Sequence, residues 1–439
     1  MNRNKRRALI LTTSIVVSSA MSAELPYKAG SKHLGVATCA TAQCHGSAVA
    51  RDGSNVMQNE YVTWTQNDPH ANSYRVLRHD QSKAMAARLG LRAAHTSDIC
   101  LGCHADDVPD GKRGEKFQLS DGVGCEACHG GAEDWLSTHY NTPEVDHADN
   151  VAAGMYPTEN VAARAELCLS CHFGNTDKFA THRIMAAGHP RLSFELDTFT
   201  ELWRTAGRQP HYRIDADYRD RKEAASHSYA WAAGLLEEGR ARLTLIFDGR
   251  ILGSGMFPEL ALYDCHACHR SMKTVRWRHL SRHGSAGPGK PFINDGTFVM
   301  ILTLTRAISP ADAESLESAL TALHVAGDDT IDTIRSAAMN LDSKIARVQS
   351  TLTEDRVRNR GRLILAEILR TGANGEFLDY VSAEQAFMAV QMLAFELDDS
   401  PLQAKLDTLA EMLEDDEHYR PAQFARLLHR LSEQFRPSH

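Results

Sequence analysis

Ten cysteines fall into five pairs, and a histidine directly follows the second cysteine of every pair. In chain order they are Cys39, Cys44 and His45 (CATAQCH), then Cys100, Cys103 and His104 (CLGCH). Cys125, Cys128 and His129 (CEACH) follow, then Cys168, Cys171 and His172 (CLSCH), and Cys265, Cys268 and His269 (CHACH). Two thiols two residues apart can add to the vinyl groups of one porphyrin, and the next imidazole then reaches the iron from the proximal side. With 22 histidines in 439 residues, five such placements by chance run on the order of one in three million. Zinc sites and disulfide frameworks also use paired cysteines, but neither requires the histidine each time. The spacing therefore predicts five covalently held hemes c. The first motif has four intervening residues instead of two; a longer loop still spans two vinyls, so it is kept as a heme site.

Each heme iron has a second axial position, and its occupant decides the chemistry. A second histidine makes an electron carrier of low potential, and an open position can bind a small molecule. Thirteen further histidines lie between His33 and His283, more than five irons need. His182 and His189 (THRIMAAGHP) are seven residues apart, two turns along one helical face, and could serve two separate hemes. His33 and His95 are further distal candidates. His211, in the polar, proline-containing stretch QPHYRIDADYRDRK, could border an open heme face or simply hold a loop, and the composition favours the loop. His266 is expected to face solvent, and His324, His418 and His429 to be ordinary exposed residues. Trp64, Trp135, Trp203, Trp231 and Trp277 are expected to pack against porphyrin, and Arg183 and Arg191 to pair with propionates.

The N-terminus, MNRNKRRALILTTSIVVSSAMSA, joins a basic stretch to a short apolar segment and small residues. This is the pattern of a secretory signal over residues 1–23. It implies a periplasmic product, in agreement with thioether attachment outside the cytoplasm. The apolar run 298–304 (FVMILTL) is too brief to span a bilayer. The formal net charge is −8, and loss of the four basic residues of the leader, which has no acids, takes it to −12. Such a surface repels nucleic acid and suits basic redox partners, either periplasmic or membrane-bound.

The positioning elements divide in two. Residues 24–294 contain every motif and show little regular periodicity, so porphyrins are expected to fill the interior of a loop-rich multiheme cytochrome c domain. After residue 294, the stretches 297–324, 330–349, 355–369, 383–397, 402–415 and 421–435 carry apolar residues at helical spacing. Residues 295–439 read as a heme-free, all-α bundle, with 284–291 (GSAGPGKP) as the linker. The fold class is mainly α.

Two stretches carry a family resemblance. GVGCEACHGGAEDW with His139 downstream, and EYVTWTQNDPHANSYRVL around His70, resemble the cytochrome c554 family, which is related in heme packing to hydroxylamine oxidoreductases and pentaheme nitrite reductases. The likeness runs roughly from residue 33 to 190, and the block 168–199 resembles a broader group of exported multiheme cytochromes. It implies His139 as distal ligand of the first heme and His70 of the fourth. The fifth motif, the widened first motif and the helical extension depart from the tetraheme pattern, so this chain reads as a pentaheme variant.

The leading expectation is a carrier of single electrons between protein partners along five hemes. The other reading is a heme oxidoreductase acting on a small nitrogen or sulfur compound at one five-coordinate iron. The resemblance points that reading to the second motif, Cys100, Cys103 and His104, whose family counterpart lacks a distal histidine. The helical domain could dock a partner or cap the hemes.

Overall fold

The computed structural model describes residues 23–52, 56–140, 145–205, 210–248, 251, 259–269, 280–284, 292–327 and 329–435. The leader 1–22, most of the linker 284–291, Trp277 and the side chain of Trp203 lie outside the described residues. The fold is mainly α. Among the described residues there is no β-strand, only isolated bridges joining His33 to Arg113, Gly174 to Phe179 and Tyr263 to Ile293.

Among the described residues, eight helices have twelve residues or more: α1 (Val161–His172), α2 (His227–Phe247), α3 (Gly296–Ile308), α4 (Pro310–Ala326), α5 (Ile331–Ser350), α6 (Gly361–Ala373), α7 (Tyr380–Glu396) and α8 (Pro421–Gln434). Helix starts follow the expected chemistry. Pro310 and Pro421 open α4 and α8, where a missing N–H costs nothing. Thr330 and Asp379 accept the amides of Thr333 and Ser382 and so cap α5 and α7. The outer helix α8 buries one stripe, Phe424, Leu427, Leu428 and Leu431. Helix α3 is buried nearly all round, which marks a central element.

The packing does not divide at residue 294. Helix α2 packs on α5, α3 and α7, and also on α1, which ends in the fourth motif. One continuous apolar core runs from Val161 to Leu431 and takes in Trp231, Leu235, Leu236 and Leu243 of α2. Gly239 permits this approach: a Cβ there would lie 2.3 Å from Ile301 Cδ1. Because α2 is apolar on several faces, it has no single stripe, and a search for amphipathic periodicity passes over it.

Before Val161 the texture differs. No helix there exceeds the ten residues of Asp80–Leu89. The apolar clusters are small: Leu77, Ala86, Ala94, Leu101 and Ala105 in one, and Ala132, Trp135 and Met155 in another. So little buried hydrocarbon is thin for a segment of this length, and it is what a wrapping around large prosthetic groups requires.

Candidate functional site: five histidine pairs

In four motifs the two cysteines and the histidine lie on one helical turn or at its end: Asp98–His104, Cys125–His129, Val161–His172 and Cys265–Cys268. One turn puts both thiols on the side from which the histidine projects. In the fifth motif the His269 amide donates to the Cys265 carbonyl across 2.7 Å. The widened first motif reaches the same closure by another route. Helix Val36–Cys39 ends at the first cysteine, the chain loops through Thr41, and the His45 amide returns to the Cys39 carbonyl at 3.1 Å. The two additional residues are absorbed in the loop, and the histidine keeps its place relative to the first thiol.

Each of the five motif histidines faces one further histidine ring. The centroid separations are 5.9 Å for His45 and His139, 6.3 Å for His104 and His189, and 6.3 Å for His129 and His211. They are 5.9 Å for His172 and His70, and 6.2 Å for His269 and His182. An iron held on both sides by imidazole nitrogens at about 2 Å sets the two ring centroids roughly 6.3 Å apart. The donor set and spacing at every motif therefore fit a six-coordinate heme c.

The hydrogen bonds around these rings point the same way. Nδ1 of His45 meets Glu60 Oε2 at 2.9 Å, and Nδ1 of His70 meets Asp68 Oδ1 at 2.9 Å. Nδ1 of His104 meets the Ser73 carbonyl at 3.2 Å, and Nδ1 of His189 the Pro190 carbonyl at 2.8 Å. In each, the Nδ1–H donates to oxygen, which fixes the tautomer and leaves the Nε2 lone pair for a metal. Burial, reinforced by the neighbouring imidazole, pushes the His129 pKa down to about 3. It also lowers His104, His139, His172 and His211. Neutral imidazole is the ligating form.

Four expected distal candidates, His70, His139, His182 and His189, thus lie opposite motif histidines. Two others do not. His33 is fully buried, with Nδ1 at 2.8 Å from Asp106 Oδ2 and Nε2 at 3.3 Å from the Pro26 carbonyl, so both nitrogens are engaged by protein. His95 lies edge-on to Tyr74. His211 is indeed on a loop, but its ring is turned onto His129, 82 positions back in the chain. No local pattern announces it; only the count of partners needed by five motifs could have. His266 does not face solvent: it is wedged between Asp264, Asp416 and the Tyr380 ring. The expectation of an exposed His324 also fails, because it is buried against Asp295, whereas His418 and His429 are exposed.

Trp135 meets His139 edge-on at 5.5 Å, whereas Trp231 belongs to the helical core. Arg183 donates to the Leu89 carbonyl and Arg191 to the Glu384 carboxylate.

The motifs also approach one another. Helix Val36–Cys39 of the first motif packs on Cys125–His129 of the third. Just before the third motif, the Val123 amide donates to the carbonyl of His70, which faces the fourth motif. Lys178 Nζ bridges the fourth and second motifs, at 3.0 Å from Cys171 Sγ and 2.7 Å from the Gly102 carbonyl. Glu126, inside the third motif, accepts the amides of Leu34, Gly35 and Ala132 at 2.7, 2.6 and 2.8 Å, tying the approach to the first motif onto the third.

A second buried cluster gathers His283, Asp295 and His324, with ligand atoms within 4.8 Å of one another. Asp295 Oδ2 is shared by Arg282 Nε at 2.6 Å, His283 Nε2 at 3.2 Å and His324 Nε2 at 3.1 Å. A guanidinium already on that oxygen makes this a charge anchor for the end of the 280–284 segment, since an added cation would meet an existing one.

No curated protein and no solved structure matches the chain. Residues 38–130, which hold the first three motifs and His70, match the family described as Cytochrome c554 and c-prime. That match supports a c-type cytochrome with covalently bound heme and an electron-transfer role.

Proposed function

We propose that this chain carries single electrons along five covalently bound hemes c, outside the cytoplasm, between basic periplasmic or membrane-bound redox partners. The observation that carries the reading is the set of five histidine pairs at 5.9 to 6.3 Å. Heme supplies a one-electron iron couple when bound. The chain's own part is to hold two imidazoles at each iron, to fix the tautomers of His45, His70, His104 and His189 through Glu60, Asp68 and backbone carbonyls, and to leave no axial position open. The contacts between motifs support the order first, third, fourth, second for four of the groups. The basic N-terminal leader supports export.

The oxidoreductase reading needs one five-coordinate iron, and the second motif is its candidate. His189 facing His104 removes the feature that favoured it. Intact mass of the mature protein is expected to exceed the polypeptide by five hemes. Electron paramagnetic resonance of the oxidised protein is expected to show low-spin iron alone, with an optical spectrum unmoved by cyanide or nitric oxide. High-spin signal from one or more hemes in fresh protein would overturn the carrier reading in favour of a reactive site.

A further inference from the structure

The fifth motif has no place in the order given by the contacts between the other four motifs, but one short segment supplies it. Helix His182–Ala186 is followed by a turn in which the amides of Ala187, Gly188 and His189 donate to Arg183, Met185 and Ile184. Gly188, at φ 114°, turns the chain so that His189 follows directly. The segment is tied down on both sides: Arg88 Nη1 donates to the Ala187 carbonyl at 2.7 Å, and Arg183 Nη2 to the Leu89 carbonyl at 2.9 Å. At one end His182 faces His269 of the fifth motif, and at the other His189 faces His104 of the second. The helical part from His182 to Ala186 rises about 6 Å, and the three residues of the turn hold the span to His189 within about 10 Å. That is close to the width of a porphyrin, so groups held at the two ends have adjoining edges.

Exposure supplies an independent observation. Of the ten motif cysteines, only Cys44 and Cys268 are exposed; the other eight are partly buried. They belong to the first and fifth motifs, the two that a linear arrangement would place at its ends.

We infer that the His182–His189 segment joins the fifth heme to the second, so that the row runs first, third, fourth, second, fifth, and electrons enter and leave at the first and fifth. The inference rests on the histidine-pair reading above. On one side the fifth terminus meets the C-terminal part of the chain, through the His266 ring at 6.4 Å from Tyr380 of α7 and His266 Nε2 at 4.0 Å from Asp416 Oδ2. This gives that part of the chain a role: it flanks the port that the additional motif creates.

The experiment marks one iron at a time. His189→Ala should convert the second heme to high spin, and His139→Ala the first, each giving a signal from one iron in five. The midpoint of the marked iron is then read by potentiometric titration. The measurement is repeated after the fifth heme is removed with Cys265→Ser and Cys268→Ser. Loss of a neighbouring charge acts in inverse proportion to distance. The midpoint of the marked second heme is therefore expected to move, and that of the marked first heme to move far less. Equal shifts, or a larger shift at the first, would overturn the order while leaving the histidine pairs intact. If the cysteine-less chain fails to accumulate, His182→Met keeps the fifth heme but raises its potential, and the same comparison decides. High-spin iron in the unmodified protein would defeat both readings, and is recorded before any variant is made.

Discussion

The His45 amide donates to the Cys39 carbonyl at 3.1 Å, across a loop two residues longer than in the other motifs. This bond lets a widened motif present its histidine like the rest. The loop is tightly closed at its far side, where a Cβ on Gly46 would sit 2.0 Å from the Ala40 carbonyl oxygen. Relief would require the backbone to move, because no flexible side chain is involved. Gly46→Ala is therefore expected to reduce occupancy of the first heme while sparing the other four. Intact mass spectrometry would read a species one heme lighter; five hemes in the variant would show that the loop tolerates the change.

Glu126 joins the first and third motifs through three backbone amides and is only 3 % exposed. Removing the carboxylate strands the buried amides of Gly35 and Ala132 and the partly buried amide of Leu34, and each buried donor costs about 1–3 kcal/mol. Glu126→Ala should lower unfolding stability by roughly 3 kcal/mol or more, measured by denaturant titration. Glu126→Gln retains an acceptor and should lose less. Equal losses would show that the side chain acts by packing alone.

Much of this site is written in local sequence and some of it is not. The five attachment motifs are contiguous, so spacing alone reveals them. His70 and His139 could be inferred from stretches resembling a known family, and His182 and His189 from a seven-residue interval. His211 had no comparable mark, because its relation to His129 exists only after 82 residues of chain have folded back. The converse error was His33: a histidine near a motif looks like a ligand until Asp106 and Pro26 take both of its nitrogens. The helical bundle was legible wherever one apolar stripe defines a helix, as in α8. Helix α2 was missed because an element buried on several sides has no stripe to detect.

His227 and Asp197 provide a pH-dependent contribution to stability. Both Asp197 oxygens lie within 3.2 Å of His227 Nδ1, at the start of α2. The Asp197 hydrogen bond, opposed by burial, lifts the His227 pKa to about 9. A raised histidine pKa stabilises the fold fully below the unfolded value of about 6.5. The contribution fades as pH climbs from there to about 9. The ring is nearly half exposed, so solvent screening keeps the effect modest. The melting temperature should decline across that window in the parent protein, with a shallower decline in His227→Gln. Identical slopes would show that other groups govern the change.

Asp295 offers the sharpest test of how the 280–284 segment is anchored on the helices. Its Oδ2 receives Arg282, His283 and His324, and all four residues are buried. Its pKa is held well below the usual carboxylate range: burial opposes ionisation, but Arg282, His283 and His324 outweigh it. Asp295→Ala would take away the carboxylate that the buried Arg282 guanidinium bonds directly, leaving Glu376, whose nearest oxygen is 3.8 Å away, and the buried Asp379 acting on it electrostatically. Such stranded charges cost about 3–5 kcal/mol. The double variant Arg282→Met, Asp295→Ala removes both charges and should recover much of that loss. Because the guanidinium supplies the neutralising charge, a chelator is expected to leave the melting temperature of the parent unchanged. A fall on chelation, restored by one divalent ion, would mean that the cluster holds a metal and that Arg282 serves another purpose.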